Sequence, residues 1–319
     1  MRLYLALLLA SLCLACSPPR EDESTALRLG YFPRLTHAPA LTGVESGRFE
    51  RALGDVQLSA HAFEFGNAAM EAIFAREIDV AYLGPNPAIN GFMRSRGAVR
   101  IIAGAAAGGA ALIVRDAAGI ASPKDLAHKR IATPQIASTQ DIALRRYLRK
   151  HGLRSALDGG NVEVLPLSTP FILSLFSQGE IDGAWVSEPV AAQLLALAGA
   201  RVFVDEKDEW PNGVYPATLV VVRKAYLDAH PARVQAFLQA HKHEVAFARN
   251  DSDAALSLSL AAMKDRAGRE IPTAIGEAAW ARIQLTSDLM ADTLPRLAED
   301  ARAERFLPEG SLDGLVVTP

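Results

Sequence analysis

The sequence is poor in the groups that most hydrolases, metalloproteins and nucleic-acid binders rely on. Of its 319 residues only two are cysteines, Cys13 and Cys16, both close to the N-terminus. A body without cysteine has neither a disulfide framework nor a thiol nucleophile. The seven histidines, His37, His61, His128, His151, His230, His241 and His243, are scattered. The close pair His241-Lys-His243 has one intervening residue, a spacing that splays two rings apart on a helix. No His-Glu-x-x-His, Gly-x-Ser-x-Gly or cysteine–histidine arrangement occurs. Catalytic residues, metal ligands and cofactors are therefore all expected to be none, and the chain is read as a non-enzyme. Basic excess is absent too: 33 Lys and Arg stand against 36 Asp and Glu, a net charge of −3. That excludes a nucleic-acid surface. Gly104-Ala-Ala-Ala-Gly-Gly109 is glycine-rich, but it lacks the Gly-Lys-Ser/Thr of a phosphate loop and opens no helix.

No stretch approaches the ~20 apolar residues that a membrane-spanning helix needs. The apolar run from Leu3 to Leu14, behind Arg2, has the length of an export signal instead. Cys13-Leu14-Ala15-Cys16 resembles a bacterial lipobox, with small Ala15 before the cleavage point and Cys16 as the lipidated residue; Cys13 stands where Leu or Val is usual. Residues 1–15 are read as the signal peptide and 16–25, rich in Ser, Pro and acidic groups, as the tether of an exported, membrane-anchored lipoprotein.

What is abundant is alternation. Half of the residues are hydrophobic, enough to bury sizeable cores, and a chain this long suggests about two domains. Leu29-Gly-Tyr-Phe-Pro-Arg-Leu-Thr-His-Ala-Pro39 sets the pattern: an apolar strand, a halt at Pro33, a loop, then a helix whose first turn accepts Pro39. Thr36 or His37 is read as its cap. Strands follow at 56–63, 78–83, 99–104 and 110–115, with helices opening at Gly66-Asn67 and at Asn86 (N-cap) before Pro87. A second, similar unit runs from Ser122, with strands at 130–133, 162–165, 181–186 and 201–204 and helices opening at Ser138, Thr169-Pro170 and Ser187-Glu188. Both units carry an Ile-Asp strand start after the second helix, at Ile78-Asp79 and Ile181-Asp182. Parallel sheets with helical crossovers follow from such alternation. The apolar segments 110–115 and 217–223 are read as strands crossing between two lobes. Beyond Lys224 the pattern is helical: 231–250, 252–263 and 276–301.

Helix openings that follow strands present free N–H groups and the positive end of the helix dipole at one edge of a sheet. Any one of these is an ordinary cap. Two matched halves presenting them at one interlobe face point to capture of a small anionic or zwitterionic molecule. Trp185 reads equally as a stacking wall or as core. Glu188, in a first helical turn, reads as structural, and Trp210-Pro-Asn-Gly213 as a cleft rim or a turn.

Five segments taken together, Gly30 to Pro39, Gly84 to Gly91, Ser138 to Leu144, Ile181 to Pro189 and Asp205 to Gly213, resemble the aliphatic sulfonate/nitrate/taurine (SsuA/NMT1-like) branch of ABC-transporter substrate-binding proteins. The resemblance covers nearly all of the chain after residue 26. It implies an α/β type II periplasmic binding fold, with residues 26–116 plus 217–319 as lobe 1 and 117–216 as lobe 2. It also implies a monomer that traps its solute by hinge closure and hands it to a membrane permease driven by a separate ATPase subunit. Carried onto this chain, the ligand-binding set is Arg34, Thr36, His37, Pro85, Asn86, Gln135, Ser138, Thr139, Gln140, Trp185 and Glu188. Arg34 stands where relatives often have Asn, and Ile136-Ala137 replaces the more usual Leu-Gly. A small organosulfonate or related oxyanion is the expected ligand, with nitrate, taurine or a thiamine-precursor-like heterocycle as rivals. An enzyme or a sensor on the same fold is the alternative of another class.

Overall fold

The computed structural model describes residues 26–319. Cys16, the signal segment and the tether lie outside the described residues.

Two sheets organise the molecule. The first has the order β11-β4-β10-β3-β1-β2 and is built from β1 (Ala26–Tyr31), β2 (Gln57–Ala62), β3 (Val80–Leu83), β4 (Val99–Gly108), β10 (Pro216–Arg223) and β11 (Ile283–Leu285). The second has the order β7-β6-β8-β5-β9, from β5 (Ala110–Arg115), β6 (Arg130–Thr133), β7 (Glu163–Pro166), β8 (Gly183–Ser187) and β9 (Ala200–Asp205). Within each sheet the βαβ strands are parallel, β1 with β2 and β3, and β6 with β7 and β8. The sheets are mixed rather than purely parallel, because β10 and β11 in one and β5 in the other run against the remaining strands.

Helices α1 (Ala38–Glu45), α2 (Arg48–Leu53), α3 (Gly66–Phe74) and α4 (Pro85–Arg94) are the crossovers of the first sheet. Helices α5 (Thr139–Lys150), α6 (Thr169–Gln178) and α7 (Val190–Leu195) serve the second. The C-terminal part adds α8 (Lys224–Ala229), α9 (Pro231–Asn250), α10 (Ser252–Ala267), α11 (Thr273–Trp280) and α12 (Leu294–Ala303). No helix among the described residues is long and apolar enough to cross a membrane.

The repeated Ile-Asp motif does the same work in both halves. Asp79 donates its backbone N–H to Arg28 O and accepts the Arg28 N–H on its carboxylate at 3.0 Å. Asp182 does both to Arg130, its carboxylate bond being 2.8 Å long. Each Asp thus ties the first strand of its parallel βαβαβ unit to the start of the third, β1 to β3 and β6 to β8. Asp79 is fully buried and balanced by Arg28 at 2.6 Å and Arg223 at 3.0 Å, which a buried carboxylate requires.

Three expectations are corrected. Residues 110–115 and 216–223 do not cross between lobes; each lies inside one sheet. The chain crosses just before them, at Gly108-Gly109, both with φ near +75°, and through residues 206–215. The left-handed backbone there suits glycine, which carries no Cβ to clash. The helix expected over 276–301 is broken: α11 stops at Trp280, Ile283–Leu285 pairs antiparallel with Gly108–Ala106 of β4, and Met290 sits at φ +48°. Ser and Asp residues at 287–288 favour local turns over helix, and Pro295 restarts α12 in its first turn. Finally, α4 begins two residues before the expected N1: Gly84, not Asn86, is its N-cap.

Candidate functional site

The loops at the carboxyl ends of β1, β2, β3, β6 and β8 meet between the two sheets and line a cavity of about 50 Å³. From the first lobe come Phe32, Arg34, Thr36, His37, Glu64, Phe65 and Gly84; from the second come Pro134, Gln135, Ser138, Thr139, Gln140 and Ser187. At roughly 10–15 Å³ per enclosed water, the space holds on the order of four water-sized groups.

Seven of the sequence-predicted residues line this cavity: Arg34, Thr36, His37, Gln135, Ser138, Thr139 and Gln140. Four do not. Pro85 and Asn86 are buried in the first turn of α4, where Asn86 Nδ2 donates to Leu297 O at 3.4 Å and so faces α12. Trp185 is fully buried in the second lobe, against Tyr147, with its indole N–H donated to Glu206 at 2.7 Å. It is core, and Ser187, two residues on, reaches the cavity instead. Glu188 lies at the crossing between lobes: its N–H donates to Gly109 O at 2.7 Å, and its carboxylate accepts from Ala192 N and sits 3.0 Å from Arg282 Nε. Burial outweighs these partners and pushes its pKa up to about 7.

Each lining group is set by its local chain. Pro33 halts β1, and residues 35–37 form a single 3-10 turn leading into α1. Neither Thr36 nor His37 makes a side-chain cap bond to that helix. His37 instead turns back: its Nδ1 accepts the Phe32 N–H at 3.3 Å, and its ring stacks at 4.6 Å on Phe32. Burial, reinforced by the Arg34 charge, drives its pKa well below the usual imidazole value. The ring is therefore neutral, and with Nδ1 accepting, the proton is on Nε2.

Arg34 donates one N–H to the Glu64 carbonyl at 3.2 Å, and its guanidinium stands 5.7 Å above the Phe32 ring. Among the described residues no carboxylate pairs with it at salt-bridge distance, so its other donors remain available. Burial lowers its pKa, against the Glu64 charge, from an ordinary value so high that it stays cationic.

On the opposite wall Ser138 caps α5, accepting the Asp141 N–H at 3.2 Å. The Asp141 carboxylate does not return the bond to Ser138; it takes Ala137 N, Thr133 Oγ1 and Arg145 Nε. These bonds hold Ala137 at φ +58°, the left-handed conformation that glycine adopts without strain. Thr139 is 6% exposed, and its hydroxyl has no partner.

The two walls touch. A Cβ placed on Gly84 would lie 2.9 Å from Thr139 Oγ1, so the N-terminus of α4 in one lobe faces the N-terminus of α5 in the other across the cavity. Two helix N-termini, an unpartnered buried hydroxyl and an arginine without a carboxylate are groups of the kind that hold small anions.

Comparison with known proteins bears on the family and the fold. The model of the NMT1-like family matches residues 20–262. The chain belongs to that family. It is 31% identical over 176 residues to the taurine-binding periplasmic protein of Escherichia coli (strain K12), a match over 55% of this chain and 52% of that protein. The chain thus spans about half the length of that curated relative. Among solved structures, it superposes on the alkanesulfonate-binding protein SsuA from Xanthomonas axonopodis pv. citri bound to MOPS, with a TM-score of 0.77 at 18% identity, covering 93% of this chain and 100% of that one. It also superposes on the periplasmic nitrate-binding protein NrtA from Synechocystis PCC 6803, with a TM-score of 0.75 at 13% identity, covering 92% and 86%. The two-lobed periplasmic binding fold is the one these structures share with the family member described here.

The sequence pattern did not single out Glu64 or Phe65. Both follow β2, whose parallel pairing with β1 carries its carboxyl end to the same edge. The rule that locates Arg34 would have located them.

Proposed function

We propose that the protein is the exported solute-binding component of an ABC importer and captures a small sulfonate or related oxyanion between its lobes. The observation that carries this is the apposition of Gly84 and Thr139 around a cavity between the lobes lined by Arg34. A site whose walls come from two lobes fits capture by closure of one lobe on the other. The binding roles of the relatives named above support the same reading, as does the absence of a nucleophile–base pair or a metal-holding cluster among the described residues.

In this reading the oxyanion is held by Arg34, Thr36, Ser138, Thr139, Gln140 and the N-termini of α4 and α5. Trp185 and Glu188 contribute through the fold. Lobe 1 takes residues 26–116 and 217–319 and lobe 2 takes 117–216, a division supported by the membership of the two sheets. The protein acts as a monomer, anchored through Cys16, and its partners are the importer's permease and ATPase subunit. A cavity with room for about four water-sized groups favours nitrate as the rival ligand over a heterocycle.

Thermal unfolding of the purified protein with nitrate, sulfonates, amino-sulfonates and heterocycles tests this. A ligand present at ~100 times its dissociation constant stabilises by about 2.7 kcal/mol. Shifts with sulfonates support the reading, a shift with nitrate alone supports the rival, and shifts only with heterocycles overturn the anion site. The anchor is tested separately: a Cys16→Ser variant should leave the membrane fraction, and its retention there would refute lipidation at that residue.

A further inference from the structure

The solute cavity occupies one end of the first lobe, and the opposite end carries a cluster of cations. Helices α3 and α4 begin beside the cavity, at Gly66 and next to Gly84, so their last turns lie at the far edge of the sheet, where β1 starts. There the segments 73–77, 94–100 and 223–228 come together. Lys224 N donates to Ala98 O at 2.7 Å, and Phe74, Arg76, Ala98 and Lys224 line one surface depression of about 380 Å³. These segments hold Arg76, Arg94, Arg96, Arg100, Arg223 and Lys224 against two acids, Glu77 and Asp228. Arg223 is held by buried Asp79, and Lys224 pairs with Asp228. Arg94 and Arg96 are exposed, with no carboxylate at salt-bridge distance among the described residues. The dipole of α4 accounts for a cation in its last turn, at Arg94. It does not account for Arg96 and Arg100 beyond the helix, nor for the Phe74 ring, 37% exposed in the same depression.

The tether enters at this edge. Tyr226, in α8, donates its hydroxyl to Ala26 O at 3.4 Å, and Ala26 is the first described residue of β1. With Cys16 lipidated, the nine residues 17–25 let the edge stand at most about 35 Å from the lipid. Lipid headgroups are then present at an effective concentration on the order of millimolar, enough to populate weak contacts.

We propose that this face docks on anionic phospholipid, with Arg94, Arg96 and Lys224 meeting the headgroups and Phe74 entering the interface. This rests on the lipid-anchor reading above and adds an orientation to it: the solute cavity, at the other end of lobe 1, is turned away from the lipid. The association is weak and salt-labile. It orients a protein that the acyl group holds, and Cys16→Ser still leaves salt-washed membranes.

The test is sedimentation of the purified Cys16→Ser protein with vesicles of phosphatidylcholine alone or of phosphatidylcholine and phosphatidylglycerol in equal parts. In 0.05 M NaCl it should bind the anionic vesicles at least tenfold more tightly, and 1 M NaCl, where screening shortens to about 3 Å, should abolish the preference. Adding Arg94→Glu and Arg96→Glu, both at exposed residues, should weaken anionic binding at least tenfold with the melting midpoint nearly unchanged. A protein of the same net charge, with Arg154→Glu and Arg305→Glu in the groove between α5 and α12, should bind as its parent does. No preference for anionic vesicles would overturn the proposal. Equal losses in the two double variants would also overturn it, reducing the effect to net charge. Binding that appears only after Glu21→Gln, Asp22→Asn and Glu23→Gln would assign the face to the tether instead. Retention of Cys16→Ser in salt-washed membranes would remove the anchor reading itself, whatever the vesicles show.

Discussion

Replacing Glu188 by Gln should flatten the pH dependence of stability. Glu188 is fully buried between Gly109, Ala192 and Arg282, and its pKa is pushed from about 4.5 to about 7, chiefly by burial. The folded state therefore holds this proton more tightly than the unfolded chain does. Between pH ~4.5 and ~7 the folded protein carries the extra proton, so stability falls as pH rises through that window and levels off above it. A shift of roughly 2.5 units corresponds to about 3 kcal/mol at 1.36 kcal/mol per unit. Glu206, buried under Trp185 and also pushed to about 7, adds a loss of the same sign and similar size. The buried His37 and His241, both with lowered pKa, act oppositely and cost stability as pH falls below ~6.5. Comparing variant with wild type cancels those contributions. Urea unfolding of both proteins, without ligand, at pH 4, 5, 6, 7 and 8 should give nearly equal stability at pH 4, below the window. At pH 8 Glu188→Gln should be the more stable by about 1–3 kcal/mol, the lower end allowing for its lost contact with Arg282. Parallel pH curves for the two proteins would refute the argument, as would a variant weaker at pH 8.

Three further outcomes follow from single distances. Gly84→Ala keeps an ordinary backbone, φ −65° and ψ 155°, yet sets a methyl 2.9 Å from Thr139 Oγ1. It should weaken solute binding at least tenfold by calorimetry while leaving the unliganded melting midpoint nearly in place, and unchanged affinity would show that the lobes do not close there. Ala137→Gly relieves a left-handed alanine, a gain of about 1–2 kcal/mol, against the added freedom of the unfolded chain, about 0.4–1 kcal/mol. A small rise in the urea midpoint is expected, and a fall would contradict φ +58° at that residue. Arg149 pairs with Asp300 at 3.0 Å and Arg146 approaches it at 3.6 Å, joining α5 to α12 across the lobes. Because screening shortens to about 3 Å in 1 M salt, small-angle scattering of the unliganded protein should report a larger radius of gyration in 1 M than in 0.05 M NaCl, and an invariant radius would argue against the latch.

The doubly wound halves were legible because helix and strand periodicities alternate cleanly, and because Asp79 and Asp182 recur at matching places. The cavity's neighbourhood was legible for a related reason: loops after parallel strands gather at one edge, and Pro33 and Ser138 mark where those loops lie. Which side chain within a loop faces inward was not. Trp185 and Ser187 point to the same side of β8, but Trp185 is covered by α5, whereas Ser187 is the last residue of the strand, at the edge that meets the cavity. Asn86 is a good capping residue in isolation, yet α4 starts at Pro85 and turns it toward Leu297. The strand at 283–285 has three residues, too short for any periodicity, and exists only because β4 extends to Gly108 and offers it an edge.

The placement of the two helix N-termini bears on how closure and capture are linked. Each end carries a partial positive charge worth roughly 0.3–1 kcal/mol to a nearby anion. Facing each other across Gly84 and Thr139, beside Arg34, they repel when nothing lies between them. In the proposed function an oxyanion would turn that repulsion into attraction from both lobes at once, so the solute would favour the closed arrangement by more than its contacts with either lobe alone. The contacts that favour closure without solute lie elsewhere, at Arg149–Asp300 on the rim and Glu188–Arg282 at the crossing. Weakening the rim pair should therefore lower affinity without altering which solutes are preferred, whereas changes at Arg34 or Thr139 should alter preference as well.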